Sequence, residues 1–323
     1  SGDAADDTIA IAQAGPDLTV DGTGDGAADA TFPAAGVTAI VVNAGDGNDD
    51  VTAASSVLQP VTANGQGGAD VLLGGNGPDV LSGGDGPDQL SGRNGADVLS
   101  GDAGGDRFTW NPGDDNDTID GGGGSDLSVF NGANIAEVMT LTASGGRAML
   151  FRDVANVIQD MGGIESLDVR MFGGTNRFTA GAGVAAVLPA VRVQGGSGVD
   201  TFTGGDEADE MIGGASPDAI DTGAGDDTIP LGLGDGGDTI DAGPGTDTLA
   251  VTGSDASEVF SIGVPAVAAA SVSESVSGTA LSSLNTERVR IEALGGNDTA
   301  SMQVAATTAL TADLRGGEGD DLL

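Results

Sequence analysis

Aspartates recur every nine residues in two separate parts of the chain. Counted from the first glycine of each repeat, glycines at the first, second and fourth places let the backbone turn tightly, and the sixth-place aspartate supplies an anionic oxygen. Calcium prefers hard oxygen ligands of this kind. The spacing therefore predicts two blocks of cation-binding turns, around Asp70, Asp79, Asp88, Asp97 and Asp106 in the first block and Asp200, Asp209, Asp218 and Asp227 in the second.

An apolar residue stands at the eighth place of almost every repeat, as Leu72, Leu81 and Leu90 do in the first block. One apolar side chain per turn predicts a narrow, ladder-like core, because equal places of stacked turns lie above one another. A disordered, acidic, glycine-rich tract is the alternative that composition suggests. Such a tract has no reason to keep an apolar residue two places after each aspartate, so the ordered interpretation is favoured.

The repeat unit is clearest in residues 74–82, GGNGPDVLS, and 83–91, GGDGPDQLS. The pattern Gly-Gly-x-Gly-x-Asp-x-apolar-x resembles the calcium-binding nonapeptide of the repeats-in-toxin (RTX) family. The resemblance implies an all-β fold in which two nonapeptides form one coil of a parallel β-roll. Turns i and i+2 would then stack about 4.8 Å apart, with a calcium ion between them.

The resemblance also implies a set of ligands for several calcium ions, roughly 5 in the first block and 4 in the second. These ligands are turn carbonyls and the sixth-place aspartates, which include Asp117, Asp126, Asp238 and Asp247 in the last turns. Third-place side chains would add oxygens at Asn76, Asp85, Asn94 and Asp206. The centre of the first block, around Asp79 and Asp88, is the strongest site prediction.

Some repeats depart from the pattern, and these turns are predicted to have weak or missing sites. The departures are Arg93 at a second place, the pair Asp102 and Ala103, Ser128 at an apolar place, and Glu207 and Ser216 at fourth places.

A longer repeat contains the two blocks. Gly2, Gly132 and Gly253 each lie the same number of residues before the first aspartate of a block. Between the blocks, short runs of alternating apolar and polar residues predict strands, and no stretch has the 3.6-residue period of a helix. The prediction is of tandem modules in which β-roll or β-helix solenoid blocks alternate with strand-rich segments: residues 1–130 (segment 1–63, block 64–130), 131–251 (segment 131–193, block 194–251) and a partial third module 252–323 (segment 252–314, first turn 315–323).

Two details of these modules carry further expectations. Residues 163–167, GIESL, and 285–289, NTERV, resemble the short Gly-Ile-Glu-x-Leu element that often precedes RTX repeats. The third module stops after a single turn, so we expect that Leu323 is not the natural end and that about 50 or more nonapeptide residues follow, or that a neighbouring molecule replaces them.

The charge of the chain restricts its partners. Fifty acidic residues against ten basic ones give a formal net charge of −40. This charge repels nucleic acid and anionic membranes, and the longest apolar stretches are too short to span a bilayer. Without cysteine there is no disulfide to stabilise an extracellular protein, so bound calcium is the expected stabiliser. The predicted partner is therefore calcium, with neither nucleic acid binding nor membrane insertion.

The residues needed for most catalysis are missing. The sequence has no histidine, cysteine or tyrosine, and all ten of its basic residues are arginines. Only carboxylates remain as acids or bases, and a paired-carboxylate glycosidase would normally line its cleft with aromatic residues, which make up 3% of this chain. A phosphate-loop interpretation of residues 83–88 lacks a following helix and a positive charge. The prediction is that the chain is not an enzyme.

Two functions are consistent with these features. The first is a secreted or cell-surface scaffold that calcium stiffens, such as a stalk, adhesin, surface layer or filament, with self-association into an array. The second is the secretion and folding module of a larger exported enzyme or toxin. The head-to-tail repetition of a module of about 120 residues favours the scaffold, since a carrier needs only one block.

Overall fold

The computed structural model describes residues 5–266, 269–274, 280–304 and 310–323. Strands make up 53% of the chain. The described residues contain no α-helix, and their only helical turns are the short 3-10 segments Ala34–Gly36, Val154–Asn156 and Val184–Ala186. No helix in these ranges has the length and apolarity needed to cross a membrane. The prediction of an all-β fold is confirmed.

The strands are short, because a glycine-rich turn interrupts the chain after every few β-forming residues. In chain order they are β1 (Thr8–Ala14), β2 (Asp17–Asp21), β3 (Ala30–Pro33), β4 (Ile40–Asp46), β5 (Asp50–Ala53), β6 (Val61–Gly67), β7 (Val71–Leu73), β8 (Val80–Asp85), β9 (Gln89–Ser91), β10 (Val98–Gly104), β11 (Arg107–Trp110), β12 (Asp117–Asp120), β13 (Gly123–Gly124), β14 (Leu127–Asn131), β15 (Val138–Ser144), β16 (Arg147–Arg152), β17 (Val157–Gly162), β18 (Ser166–Arg170), β19 (Arg177–Ala180), β20 (Ala190–Ser197), β21 (Thr201–Thr203), β22 (Ala208–Ala215), β23 (Ala219–Asp221), β24 (Thr228–Leu231), β25 (Thr239–Asp241), β26 (Thr248–Thr252), β27 (Val259–Ala266), β28 (Ala269–Glu274), β29 (Ala280–Leu284), β30 (Arg288–Glu292), β31 (Thr299–Val304) and β32 (Thr311–Arg315).

The chain folds into two compact units. Unit 1 comprises Ser1–Asn131 and Ala143–Asp168, and unit 2 comprises Gly132–Thr142 and Val169–Leu323. Each unit is a β-solenoid, and the two together have about 12 turns, consistent with a parallel β-roll. The module boundaries at residues 130 and 251 stay predictions.

In unit 1, successive strands alternate between two parallel ladders. One ladder runs β1, β5, β7, β9, β11, β14, and the other runs β4, β6, β8, β10, β12, β17. Val98 of β10 pairs with Val80 of β8, which in turn pairs with Thr62 of β6. Each coil of the first block therefore takes two nonapeptides and contributes one strand to each ladder. This is the stacking of turns i and i+2 that the resemblance to RTX repeats implied.

Strands from the segment before the first block join the same two ladders. β4 pairs in parallel with β6, and β5 pairs in parallel with β7. The segment also forms antiparallel pairs at β1–β2 and β2–β3, and β16 pairs antiparallel with β17. The residues outside the blocks thus add coils and hairpins to the solenoid.

Unit 2 repeats this arrangement. One of its ladders runs β20, β22, β24, β26, β30, β32, and the other runs β19, β21, β23, β25, β29. The first four residues of β15 pair in parallel with β19, and β27 pairs with β31 in parallel. β28 pairs antiparallel with both β27 and β29, so this unit too has a hairpin attached to its coils.

The core of each unit is narrow, and each ladder contributes one file of apolar side chains to it. Because successive residues of a strand point to opposite faces, the eighth-place residue of each nonapeptide turns into the solenoid. These residues are each at most 2% exposed: Leu72, Leu81, Leu90, Leu99, Phe108 and Ile119 in unit 1, and Phe202, Met211, Ile220, Ile229, Ile240 and Leu249 in unit 2. The predicted ladder-like core is present in both units.

We expect Leu81→Ala to lower the free energy of unfolding by about 3 kcal/mol, because the cavity it leaves in a narrow core has few neighbours that can fill it. The matched control is Val80→Ala, since Val80 is 45% exposed on the other face of the same strand, and it should cost less than about 1 kcal/mol. Urea unfolding of both variants in calcium-containing buffer measures the difference. Equal losses would show that the file of leucines is not the core.

Candidate metal centre

The sixth-place aspartates of unit 1 lie in two hydrogen-bonded rows, one along each edge of the solenoid. In the first row, the backbone N–H of each acid donates to a side-chain oxygen of the acid on the next coil. The N–H of Asp70 donates to Asp88 Oδ1 at 2.7 Å, and the N–H of Asp88 donates to Asp106 Oδ1 at 2.8 Å. We call this series row A, and its members are Asp7, Asp49, Asp70, Asp88, Asp106, Asp126 and Glu165.

The opposite edge of unit 1 holds a shorter series, row B, formed by Asp79, Asp97 and Asp117. The N–H of Asp79 donates to Asp97 Oδ1 at 2.7 Å, and the N–H of Asp97 donates to Asp117 Oδ1 at 3.0 Å. Row B begins without an acid, since the N–H that reaches Asp79 Oδ1 belongs to Val61. The parallel register of the strands brings these acids above one another, because each directly precedes the first residue of a strand or begins it.

Unit 2 has the same construction. One row comprises Glu137, Asn176, Asp200, Asp218 and Asp238, and another comprises Asp209, Asp227, Asp247 and Glu287. A third series joins Glu258, Asp298 and Asp321. The structure therefore brings every predicted sixth-place aspartate into a row.

Several members of these rows were missed by the sequence analysis, because they lie outside the nine-residue spacing. These residues are Asp7, Asp49, Glu137, Glu165, Asn176, Glu258, Glu287 and Asp298. Most carry a usable signal, since an acid or amide is followed two places later by a buried apolar residue, as Glu137 is by Met139 and Asn176 is by Phe178. A search for that two-residue motif would have found them.

One carboxylate oxygen of most row members is buried without a hydrogen-bond partner. Asp88 and Asp106 are each 1% exposed, and the N–H groups of the rows occupy only their Oδ1 atoms. A buried anionic oxygen that has lost water and gained no partner is costly. In the described residues, such Oδ2 atoms belong to Asp70, Asp88, Asp97, Asp106, Asp126, Asp200, Asp218, Asp227, Asp238, Asp247 and Asp298.

Asp79 differs from these residues. Its Oδ2 accepts a hydrogen bond from the N–H of Gly75 at 2.7 Å. Asp79 is the first acid of row B, and both of its carboxylate oxygens accept hydrogen bonds. Asp88, the other residue that the sequence placed at the centre of the first block, has an unpartnered Oδ2.

Several of these Oδ2 atoms face the first-place glycine of their own turn, and at Gly65, Gly101, Gly121 and Gly195 a backbone carbonyl of the next coil points there as well. A Cβ added to Gly65 would collide with Asp70 Oδ2 and lie 2.5 Å from the carbonyl oxygen of Gly83. The same pair of oxygens surrounds Gly195, namely Asp200 Oδ2 and the carbonyl of Gly213 at 2.6 Å. These cradles offer only oxygen ligands, which fit a hard cation such as calcium.

The other oxygens of a cradle come from the backbone. Within the described ranges, no three acidic side chains converge on a single point. The residues present therefore fit a cation that one or two carboxylates and several carbonyls share, in keeping with the mixed ligands that calcium accepts.

Burial dominates the electrostatics of the rows. Burial, together with the smaller effect of neighbouring carboxylates of the same row, raises the pKa of Asp88 and of Asp97 to about 7. Burial likewise raises the pKa of Asp117 to about 8 and that of Asp209 to about 9. A hydrogen bond from a backbone N–H opposes the shift at Asp88, Asp97 and Asp117 but does not cancel it. Without a bound cation, the charged form of these acids is therefore disfavoured, because the protein atoms alone do not balance it.

The third-place side chains lie outside the rows. Asn76 is half-buried, whereas Asp85, Asn94 and Asp206 are exposed. Asp206 accepts hydrogen bonds from the N–H groups of Gly183 and Ala185, so its carboxylate is engaged on the surface. Their role as additional ligands stays a prediction.

The positively charged guanidinium group of Arg93 lies among the turn carbonyls. It adopts the left-handed φ of 65° that the second place requires. Its guanidinium donates to the carbonyl oxygens of Ala53 and Gly74, the first-place residues of two coils below it. Burial raises the pKa of Asp114 to about 6, and Arg93 opposes that rise. The sequence analysis singled out Arg93 as a departure, and the structure shows the contacts that it makes.

This fold and this oxygen chemistry define a calcium-binding β-solenoid. The family model for the RTX calcium-binding nonapeptide repeat, in four copies, matches residues 62–81, 73–108, 194–229 and 233–250. The chain thus carries RTX calcium-binding nonapeptide repeats in both units, and it is a calcium-binding repeat protein. No curated protein matches the sequence.

The calcium-free protein should become less stable as the pH rises from 5 to 8. The folded-state pKa values of Asp88 and Asp97, about 7, lie above the ordinary 3.8, so the stability that protonation provides is full near pH 4 and is lost as the pH rises through 7. Thermal unfolding of calcium-depleted protein, followed by circular dichroism, measures this slope. In saturating calcium the slope should reverse, because protons then compete with the ion. A calcium-free melting temperature that rises with pH would contradict the arrangement.

We expect Asp88→Asn to weaken calcium binding in unit 1 alone, by about tenfold or more at the adjoining sites, because stacked coils contact mainly their neighbours. The amide keeps the acceptor for the N–H of Asp70 while removing the charge. Trp110, the only tryptophan, is buried in unit 1 and reports its folding by fluorescence. The matched variant Asp218→Asn changes the same kind of residue in unit 2. Equal shifts of the Trp110 calcium transition in both variants would show that the units fold as one.

Proposed function

We propose that this protein is a secreted or cell-surface structural scaffold that calcium stiffens, as a component of a stalk, adhesin, surface layer or filament. The observation that carries the proposal is the recurrence of the same buried acid rows in both units, at the same places of the coil. Cation sites that recur along a repetitive solenoid suit a protein with a mechanical role.

The rows give the proposal its mechanism. The N–H of one coil holds Oδ1 of the next acid in place, so that Oδ2 stays directed at the first-place glycine of its turn. Bound calcium supplies positive charge between oxygens that would otherwise repel one another. The chain contributes the fixed spacing, since the parallel ladders set the distance between successive acids. Ordering of the coils and binding of several ions are thereby one event.

The same coupling supports a location outside the cell. Extracellular calcium modules bind in the range of about 0.1–1 mM, far above the calcium level of a resting cytosol. A chain with these rows would stay unfolded inside the cell and become ordered outside. The absence of cysteine agrees with stabilisation by metal in place of disulfides.

The alternative function is a calcium-dependent secretion and folding module of a larger exported enzyme or toxin. The buried carboxylates without partners favour this alternative too, because they would keep the chain unfolded until it meets external calcium. In either role the chain itself is non-catalytic, and its partner is calcium. The net charge of −40 argues against nucleic acid and against insertion into anionic membranes.

We expect calcium to fold the protein. Circular dichroism of the chelated chain at pH 8, where the buried acids are deprotonated, should show an unfolded spectrum, and addition of calcium up to about 1 mM at the same pH should give the β spectrum. Magnesium at the same concentration is the control, and it should fail because it demands a smaller octahedral site and keeps its water. A chelated sample with the same β spectrum and melting temperature as the calcium-loaded one would sink the proposal.

Sedimentation of the calcium-loaded protein separates the two functions. A scaffold should self-associate in calcium and dissociate in chelator. A secretion module should remain a folded monomer in calcium at every concentration.

A further inference from the structure

Row A of unit 1 ends at a turn that does not belong to a nonapeptide. Asp120 pairs with Gly162, so Gly163 stands at the first place of the following coil. The N–H of Ser166 donates to the carbonyl of Asp126 at 3.0 Å, so Glu165 stands at the place that Asp126 occupies one coil earlier. The turn between these places has three residues, 163–165, whereas the turn before it has six, 121–126.

A glutamate suits this shortened turn because its additional methylene extends the carboxylate further from the backbone. Glu165 Oε2 accepts the N–H of Asp126 at 2.8 Å, the same bond that an aspartate makes in every earlier coil of row A. The left-handed φ of 61° at Gly163 allows the tight turn. Residues 285–287 build a second turn of this kind in unit 2, where Asn285 has a φ of 54° and Glu287 Oε2 accepts the N–H of Asp247 at 3.0 Å.

The space beside this turn has the oxygens of a cation site. Asp126 is 1% exposed, and its Oδ2 has no hydrogen-bond partner. A Cβ added to Gly121 would collide with the carbonyl oxygen of Gly163 and lie 2.6 Å from Asp126 Oδ2. A carboxylate oxygen of Asp126 and the carbonyl oxygen of Gly163 thus lie beside one glycine, and Glu165 reaches the same turn through its bond to the N–H of Asp126.

We propose that Glu165 is a calcium ligand, and that with Asp126 and the carbonyl of Gly163 it forms a site outside the nonapeptide block. This inference rests on the proposed calcium binding of the rows and adds one ion to it. Glu165 is the acid that follows Asp126, the last aspartate of row A. The cation that the two residues share balances the buried charge of Asp126.

The corresponding turn of unit 2 lacks the cradle. Ala242, which is fully buried, stands at the first place of the turn of Asp247, where Gly121 stands in unit 1. Its methyl group takes up the position of the ion. Glu287 therefore keeps the hydrogen bond to Asp247 without holding calcium, and it provides a control that differs from Glu165 in this one respect.

The test counts ions on the full chain. Native mass spectrometry and calorimetric titration with calcium should show that Glu165→Gln binds one ion fewer than the wild type, with affinity at that site reduced about tenfold or more. Glu287→Gln removes the same charge from the same kind of turn and should keep the wild-type count. An unchanged count in Glu165→Gln, or the loss of an ion from both variants, would overturn the inference. A wild type that binds no calcium at all would instead refute the proposed function.

A second readout separates a ligand from a purely structural residue. Removing the charge of Glu165 should raise the melting temperature of the calcium-free protein at pH 5, where protonation of the other buried acids keeps it folded, and lower that of the calcium-loaded protein, whereas a structural role would lower both. Trp110 fluorescence confirms that the variants fold in calcium. Should Glu165→Gln fail to fold, Glu165→Asp decides the matter, because it keeps the charge but shortens the reach and should still lose the ion.

Discussion

The structure depends on one arrangement, in which a backbone N–H of one coil holds a buried carboxylate of the next. The bond from Asp70 to Asp88 Oδ1, repeated along row A, fixes the register of the parallel strands, because a shift by one residue would move the acid away from the donor and turn the leucine file outward. It also leaves Oδ2 of each acid without a partner. The interaction that aligns the coils therefore leaves a buried carboxylate oxygen that a cation can neutralise.

The bound cation compensates for a small apolar core. A solenoid with one inward apolar residue per turn, such as Leu81 or Leu90, buries little apolar surface for each residue that it orders. Small proteins with limited cores commonly rely on disulfides or metals, and this chain has no cysteine. The metal therefore supplies stability that the side chains do not, and the folded state becomes a response to its surroundings.

The regular part of the fold could be predicted from the sequence, and the irregular part could not. The nine-residue period predicted the ladder-like apolar core and the sixth-place acids of both blocks, and the resemblance to RTX repeats implied the coil of two nonapeptides. It did not predict that residues outside the blocks would join the same ladders, since the hairpin at β16 and β17 separates Asp126 from Glu165 by 39 residues and hides their equivalence. Spacing identifies partners only while every coil has the same length.

Sequence pattern alone determined where carboxylates recur and which face they share, because the period of the coil is local and the alternation of a strand is fixed by covalent geometry. Tertiary structure decided which of those carboxylates lack a partner. Asp79 and Asp88 stand in almost identical nonapeptides, yet Asp79 Oδ2 accepts a bond from Gly75 while Asp88 Oδ2 has no partner. The two turns differ at the second-place glycine: Gly84, in the turn of Asp88, has a φ of 115° and pairs with Gln66 of β6, whereas Gly75, in the turn of Asp79, lies outside the left-handed region and between strands. A neighbour 18 residues away in the chain thus sets the chemistry of the site, because the solenoid places it directly against the next coil.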